Sequence, residues 1–137
     1  MVLLYTAPFL RVYLHEAEAV LESEWLDNAQ GEPLRRALQE MLRLALRHQV
    51  RGWVANQRQM RIIRTADQEW INQTWFPAFS QLPLLRCALI VSEDALNRMG
   101  IRSVLQHATA TRAFPMEFFS DVLAARRWVV YGAQARN

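Results

Sequence analysis

Lysine is absent from this chain of 137 residues, so all 16 basic residues are arginine. Thirteen acidic residues leave a formal net charge of +3, which is too small to indicate a nucleic-acid-binding protein. The single cysteine, Cys87, excludes a disulfide within the chain and therefore a disulfide-rich scaffold. It lies in an apolar run, and we expect it to be a buried core residue in a reducing compartment.

Glycine is also scarce, with four residues dispersed along the chain. Their scatter excludes the glycine-rich loops that hold nucleotide phosphates. No apolar run approaches the roughly 20 residues needed to span a bilayer, and the first residues lack the basic segment of a signal peptide. We therefore expect a soluble, cytoplasmic protein without a membrane span.

Apolar residues are abundant, at 52% hydrophobic against 21% charged. This balance is typical of a globular protein, and the length suits one core. We predict a single domain over residues 1–130 and a C-terminal tail over residues 131–137.

Alternating apolar residues near the start predict an antiparallel hairpin. Leu10, Val12 and Leu14 share one face of a strand over residues 9–15. After a short polar break, residues 19–25 form a second one-sided strand, with Glu22 and Glu24 on the solvated face. Residues 2–5 are a candidate for a short edge strand.

Helical spacing begins after the loop that contains Gly31. One apolar face predicts a helix over residues 33–49, with Pro33 in its first turn; the face comprises Leu34, Leu38, Met41, Leu42 and Ala45. The apolar segment at residues 52–56 is typical of a buried parallel strand. Thr65 and Gln68 then match a capping box at the start of a second helix, which Pro77 should kink or end near Phe76.

The rest of the chain continues the alternation of strands and helices. Residues 84–91 are the best candidate for a central strand, and Ser92 caps a helix that Gly100 interrupts. A helical pattern resumes over residues 101–107. A strand over residues 112–119 and a helix from Ser120 to about residue 130 complete the chain. The order predicts an α/β fold: a mixed sheet with an N-terminal antiparallel hairpin, then parallel strands, and helices on both faces.

Four segments carry a resemblance to a known family. They are Trp25 at the end of the second hairpin strand, Trp53-Val54-Ala55-Asn56, the stretch from Asp67 to Pro77, and Phe118-Phe119-Ser120-Asp121 with Ala125 and Trp128. On these segments the chain resembles the STAS-like superfamily, the fold of the anti-sigma-factor antagonists, and especially a bacterial STAS-like group of unknown function. The likeness covers about residues 2–130, and the stretch from Asp67 to Pro77 is its most distinctive part.

The resemblance implies a small protein-interaction or regulatory module. Classical STAS antagonists carry a phosphorylatable serine in an Asp-x-Ser setting after a main strand. The matching residues 56–60 of this chain contain neither the acid nor the hydroxyl. We therefore expect a module that does not use the family's phosphorylation switch.

Catalytic signatures are missing from the sequence. There is no Gly-x-Ser-x-Gly motif, and His15, His48 and His107 lie apart from one another at predicted element ends. The carboxylates near His15 alternate along strands, which is typical of a solvated face rather than a metal site. We expect no enzyme activity, no metal and no cofactor.

An arginine-rich connection follows the predicted strand at residues 52–56. Ligands of open α/β sheets bind outside the carboxyl ends of parallel strands, and helix N-termini favour anions there. The sequence thus predicts an anion pocket formed by Asn56, Arg58, Arg61, Thr65 and Ser92. The alternative is a solvated loop whose arginines pair with Asp67 and Glu69.

Aromatic residues exceed what one helix face can cover. Trp70, Trp75 and Phe76 point in different directions around the second predicted helix, so they form either an interface between two copies or part of the monomer's core. We predict a non-catalytic interaction or regulatory module that self-associates through these residues or binds another protein. The alternative is a protein that binds a small ligand, either an anion at residues 56–65 or a lipid-like apolar molecule between sheet and helix. RNA binding is not expected, because no known RNA-binding module matches.

Overall fold

The computed structural model describes residues 1–60, 63–91 and 114–132. Its elements are β1 (Val2–Ala7), β2 (Leu10–His15), β3 (Val20–Trp25), α1 (Gly31–Arg47), β4 (Gly52–Asn56), α2 (Thr65–Trp70), a π-helix (Ile71–Trp75), α3 (Phe76–Ser80), β5 (Arg86–Ile90), β6 (Met116–Phe119) and α4 (Val122–Tyr131). The helices predicted at Ser92 and at residues 101–107 lie outside the described residues.

Within the described residues, the strands form one six-stranded sheet whose spatial order follows the chain, from β1 to β6. β1, β2 and β3 are antiparallel, and β3 to β6 are parallel. The predicted mixed α/β sheet with its N-terminal hairpin is therefore confirmed. The edge strand β1 is longer than predicted, and its register shifts between Leu3 and Tyr5.

The sheet buries both of its faces. Trp53 and Val54 are neighbours on β4, so their side chains point to opposite faces. Trp53 belongs to the larger apolar cluster, which includes the buried residues of α1 and of residues 71–79. Val54 belongs to a smaller cluster with Ala125, Trp128 and Val129 of α4. We call these the front face and the back face. Among the described residues, α1 and the segment over residues 71–79 cover the front face and α4 covers the back face, so both faces carry helical structure, as predicted.

Helix α1 begins at Gly31, two residues before the predicted start. Gly31 has a φ of +64°, a conformation that glycine adopts without strain. Its backbone N–H donates to the carboxylate of Asp67 at 3.0 Å. A distant side chain thus supplies the cap that the residues just before α1 do not provide.

The second helical segment starts differently from its prediction. Arg64 is the N-cap, Thr65 is exposed, and no side chain of the N-cap residue accepts a hydrogen bond. The predicted capping box is therefore wrong. The Asp67 carboxylate bonds to α1, and the Gln68 side chain donates to the carbonyl of Ile63 at 2.7 Å.

Pro77 does not end this segment. The π-helix over Ile71–Trp75 leads directly into α3, which begins at Phe76. Proline has no N–H and its ring crowds the preceding turn of an α-helix, so a wider turn before it lets the helix continue. The predicted break near Phe76 takes the form of a change in helix type.

No helix among the described residues is long and apolar enough to cross a bilayer.

Candidate functional site

A cavity of about 80 Å³ lies between the front face of the sheet and the helices that cover it. It is partly open to the surface. The sheet contributes Trp25, Trp53 and Leu89, and α1 contributes Leu34, Leu38 and Met41 to the walls. The second helical segment contributes Ile71, Trp75, Phe76 and Phe79. The walls are thus mainly aromatic and aliphatic.

Hydrogen bonds fix the two central indole rings of these walls. The Trp53 N–H donates to the Ser23 hydroxyl at 3.1 Å, and the Trp75 N–H donates to the carbonyl of Leu38 at 2.7 Å. Phe79 stacks on Trp75, with ring centroids 4.8 Å apart, and meets Trp53 edge-on at 5.2 Å. The rings therefore have defined positions, and their shape determines which molecules fit.

Polar groups at the cavity are few. Ser23 and Gln57 line it, and no charged side chain does so among the described residues. The Gln57 Oε1 atom is buried, and no described residue donates a hydrogen bond to it. The Gln57 backbone N–H donates to the carbonyl of Ile90 at 2.9 Å, which holds the residue beside β5 at the carboxyl end of β4.

Cys87 also lines the cavity. Burial raises the pKa of its thiol, so the thiol stays protonated. A protonated thiol is a poor nucleophile. Cys87 is a core residue, as predicted, and forms an apolar part of the wall.

The predicted anion pocket is brought together only in part. Asn56 is buried, and its Oδ1 accepts hydrogen bonds from the backbone N–H and the Nε of Arg58, at 3.3 and 3.4 Å. Arg58 and Thr65 are exposed. Arg61 and Ser92 lie outside the described residues. The amide oxygen of Asn56 thus accepts hydrogen bonds from Arg58, a residue of the same loop.

Asp67 lies at the centre of a cluster of charged residues beside this loop. Its side chain has no exposed surface and receives hydrogen bonds from Gly31, Arg35 and Arg64. Burial favours the protonated acid, but the hydrogen bonds from Gly31 and Arg64 outweigh it and lower the pKa of Asp67. The N-terminus of α1 therefore already holds a carboxylate, so it is not a free anion site.

The three predicted interface aromatics lie in or against the core. Trp75 and Phe76 are buried in the front-face cluster. Trp70 is partly buried, and the Arg35 guanidinium lies 5.5 Å from its ring centroid. Packing within the chain therefore accounts for these rings, which is the alternative that the sequence leaves open.

Glu22 lies on the back face, where the sequence predicts a solvated residue. Only 4% of it is exposed. Its carboxylate accepts two hydrogen bonds from Arg126 and bonds His15 at 2.9 Å. The prediction that β3 is one-sided is therefore wrong: every residue of the strand except Glu24 is buried, because α4 covers this face and brings the arginine. No feature of the sequence near Glu22 indicates that helix.

The part of the chain that the structure describes is thus an α/β protein with a mixed sheet of six strands and an apolar cavity between sheet and helices. Comparison with models of protein families, with curated proteins and with solved structures found no match for this chain. No group of three or more histidine, cysteine, aspartate or glutamate residues in the described ranges is placed to hold a metal ion. The function is therefore argued from the cavity itself.

Proposed function

We propose that this protein binds a small, uncharged and largely apolar molecule in the cavity between the front face and its helices. The observation that carries the proposal is an apolar cavity of about 80 Å³ inside the core of a small domain. Protein interiors are close-packed, and empty space costs van der Waals contacts. A space of this size, walled by fixed aromatic rings, favours a ligand that restores those contacts.

The size of the cavity limits the ligand. One water molecule needs roughly 10–15 Å³ of such space, so the cavity suits a single ring or a short alkyl chain. Because the cavity is partly open, a longer molecule can extend from it toward the surface. Burial of apolar ligand surface supplies the affinity, at about 25 cal/mol per Å².

The π-helix supports the same site. Ile71 and Trp75, its first and last residues, both line the cavity. π-Helical turns within α-helices occur often at functional sites. Of the described wall residues, Cys87 is the only one that could ionise, and its pKa is raised by burial. The chemistry of the walls therefore favours binding over catalysis.

The test is a panel of small probes with the purified protein: toluene, phenol, indole and octanol. Bound probes should raise the melting temperature by a few °C and change the fluorescence of the wall tryptophans. Ala55→Leu fills part of the cavity and should abolish the fluorescence change, whereas Ala124→Leu on the exposed side of α4 should leave it unchanged. The proposal fails if no probe shifts either signal, or if Ala55→Leu binds as well as the unmodified protein.

A regulatory role follows from the STAS-like resemblance, which we retain as a proposal together with a cytoplasmic location. In this role the ligand-bound state would be recognised by another protein. Neither the fold class nor the cavity requires the phosphorylatable serine of the classical antagonists.

Self-association is the second candidate function, and the two outer strands of the described sheet favour it. β6 is only four residues long, follows Pro115 and contains Glu117, all of which discourage pairing with another strand. β1 has six residues without charge or proline, and 51% of Leu3 is exposed. A second copy can extend the sheet by pairing its own β1 antiparallel to this one.

Light scattering after size exclusion tests this dimer. At tens of micromolar we expect twice the 16.0 kDa chain mass. Leu3→Lys places a charge on the edge and should give the monomer, whereas Leu46→Lys, at an apolar position on α1 that is 62% exposed, should not. A monomer at every concentration, or a dimer that survives Leu3→Lys, argues against pairing through β1.

A further inference from the structure

Gln57 lines the cavity, and one of its polar side-chain atoms has no hydrogen-bond partner among the described residues. The Oε1 atom of Gln57 is buried, and no described residue donates to it. Buried polar atoms in folded proteins almost always have a hydrogen-bond partner, so an exception inside a binding cavity points to a group that is supplied from outside. The backbone N–H of Gln57 donates to the carbonyl of Ile90, and this hydrogen bond fixes the backbone from which the side chain extends.

We infer that the ligand is a neutral ring compound with one N–H or O–H donor, and that Gln57 Oε1 accepts its hydrogen bond. This inference rests on the proposed function and specifies its ligand class. The apolar part of the ligand lies in the cavity against the rings of Trp53, Trp75 and Phe79, which line it. Gln57 then selects donor-bearing ligands from those of equal size and shape.

The other wall groups exclude charged ligands. None of the described wall residues carries a charge, so an ionised ligand group would be buried without a counter-ion. A carboxylate would also place its oxygens against another oxygen, Gln57 Oε1. The other polar residue of the described wall, Ser23, is uncharged, and its hydroxyl oxygen accepts the N–H of Trp53. The wall therefore favours a neutral donor such as a phenol or an NH-heterocycle.

Matched ligand pairs test this selection. Phenol and toluene differ by an O–H against a methyl group, and indole and benzothiophene differ by an N–H against a sulfur. Titrations that follow the heat of binding give the affinity of each. We expect the donor-bearing member to bind about tenfold more tightly, the effect of one buried hydrogen bond that would otherwise be unmade.

Gln57→Met keeps the length of the side chain and removes the acceptor. It should reduce the preference within each pair to less than twofold, while toluene and benzothiophene bind at least as well as before. Gln59→Met, at the exposed neighbouring glutamine, is the matched control and should retain the preference. Circular dichroism of both variants confirms folding.

The outcomes separate this inference from the proposed function. If all four compounds bind and the members of each pair bind equally, the role of Gln57 is overturned while the cavity remains a binding site. If no compound binds, the proposed function itself fails. Because the pairs are compared first in the unmodified protein, the result stands even if Gln57→Met does not fold. A preference that survives in a folded Gln57→Met protein also overturns the inference.

Discussion

Arg126 of the last helix holds Glu22 of the third strand through two hydrogen bonds, each 2.8 Å between nitrogen and oxygen. Glu22 is buried, and His15 bonds the same carboxylate from the neighbouring strand. The two chain segments are 104 residues apart in sequence. This contact therefore ties α4 to the hairpin end of the sheet and helps to define the back face.

Replacing Arg126 should weaken the fold. Arg126→Gln leaves the buried carboxylate with His15 as its remaining described partner, and loss of a partner by a buried group costs roughly 1–3 kcal/mol. Urea unfolding should show this decrease in the free energy of unfolding. Arg127→Gln, at the exposed neighbour, is the control. Equal stability of the two variants would show that the Glu22 contact contributes little.

The Glu22 contact also predicts a pH dependence. Burial by itself would raise the pKa of Glu22. The hydrogen bonds from Arg126 and His15 outweigh burial, so the pKa of Glu22 lies below its ordinary value of 4.5. A carboxyl with a lowered pKa stabilises the fold at neutral pH, and this contribution is lost as the pH falls below about 4.5. Glu22→Gln should therefore flatten the stability curve between pH 5 and about 3. An unchanged slope in that variant would contradict the assignment.

Asp67→Asn tests the cap at the start of α1. The amide cannot replace a carboxylate that accepts from Gly31, Arg35 and Arg64 together, so we expect a loss of roughly 1–3 kcal/mol. Thermal unfolding measures it, with Glu69→Gln on the exposed side of α2 as control. If Asp67→Asn melts at the temperature of the control, the cap is not important for stability.

Gly52→Ala should push α4 away from the sheet. A Cβ atom at Gly52 would lie 2.3 Å from Cγ1 of Val129, far inside van der Waals contact. Such overpacking typically costs about 1–3 kcal/mol. Val129→Ala removes the obstructing methyl groups, so the double variant should lose less stability than the two single losses combined. Strict additivity would mean that the two residues do not meet.

Cys87 should react slowly with thiol reagents in the folded protein. Burial raises the pKa of its thiol and limits access to it. Reaction with a chromogenic disulfide should become rapid in urea. Saturating toluene should slow the reaction of the folded protein further, because toluene in the cavity covers the thiol. If the folded protein reacts fast and toluene does not slow the reaction, Cys87 does not line the cavity that binds toluene.

The residues of the candidate site depend on distant contacts more than the strands and helices do. Gln57 lies between Asn56 and Arg58, at the start of the arginine-rich connection, and nothing in the local sequence indicates a buried amide oxygen there. The spacing of Thr65 and Gln68 predicts a cap for α2 that the structure does not contain. Asp67 caps α1 instead, because its carboxylate accepts a hydrogen bond from Gly31, 36 positions earlier in the chain.

Local periodicity alone was enough to predict the hairpin, the buried strands and the apolar face of α1, because alternation and helical spacing are properties of neighbouring residues. The positions of Glu22, Asp67 and the aromatic rings depend instead on partners far away in the chain. Burial, hydrogen bonding and the cavity arise only when the helices close over the two faces of the sheet, so the tertiary structure decided them.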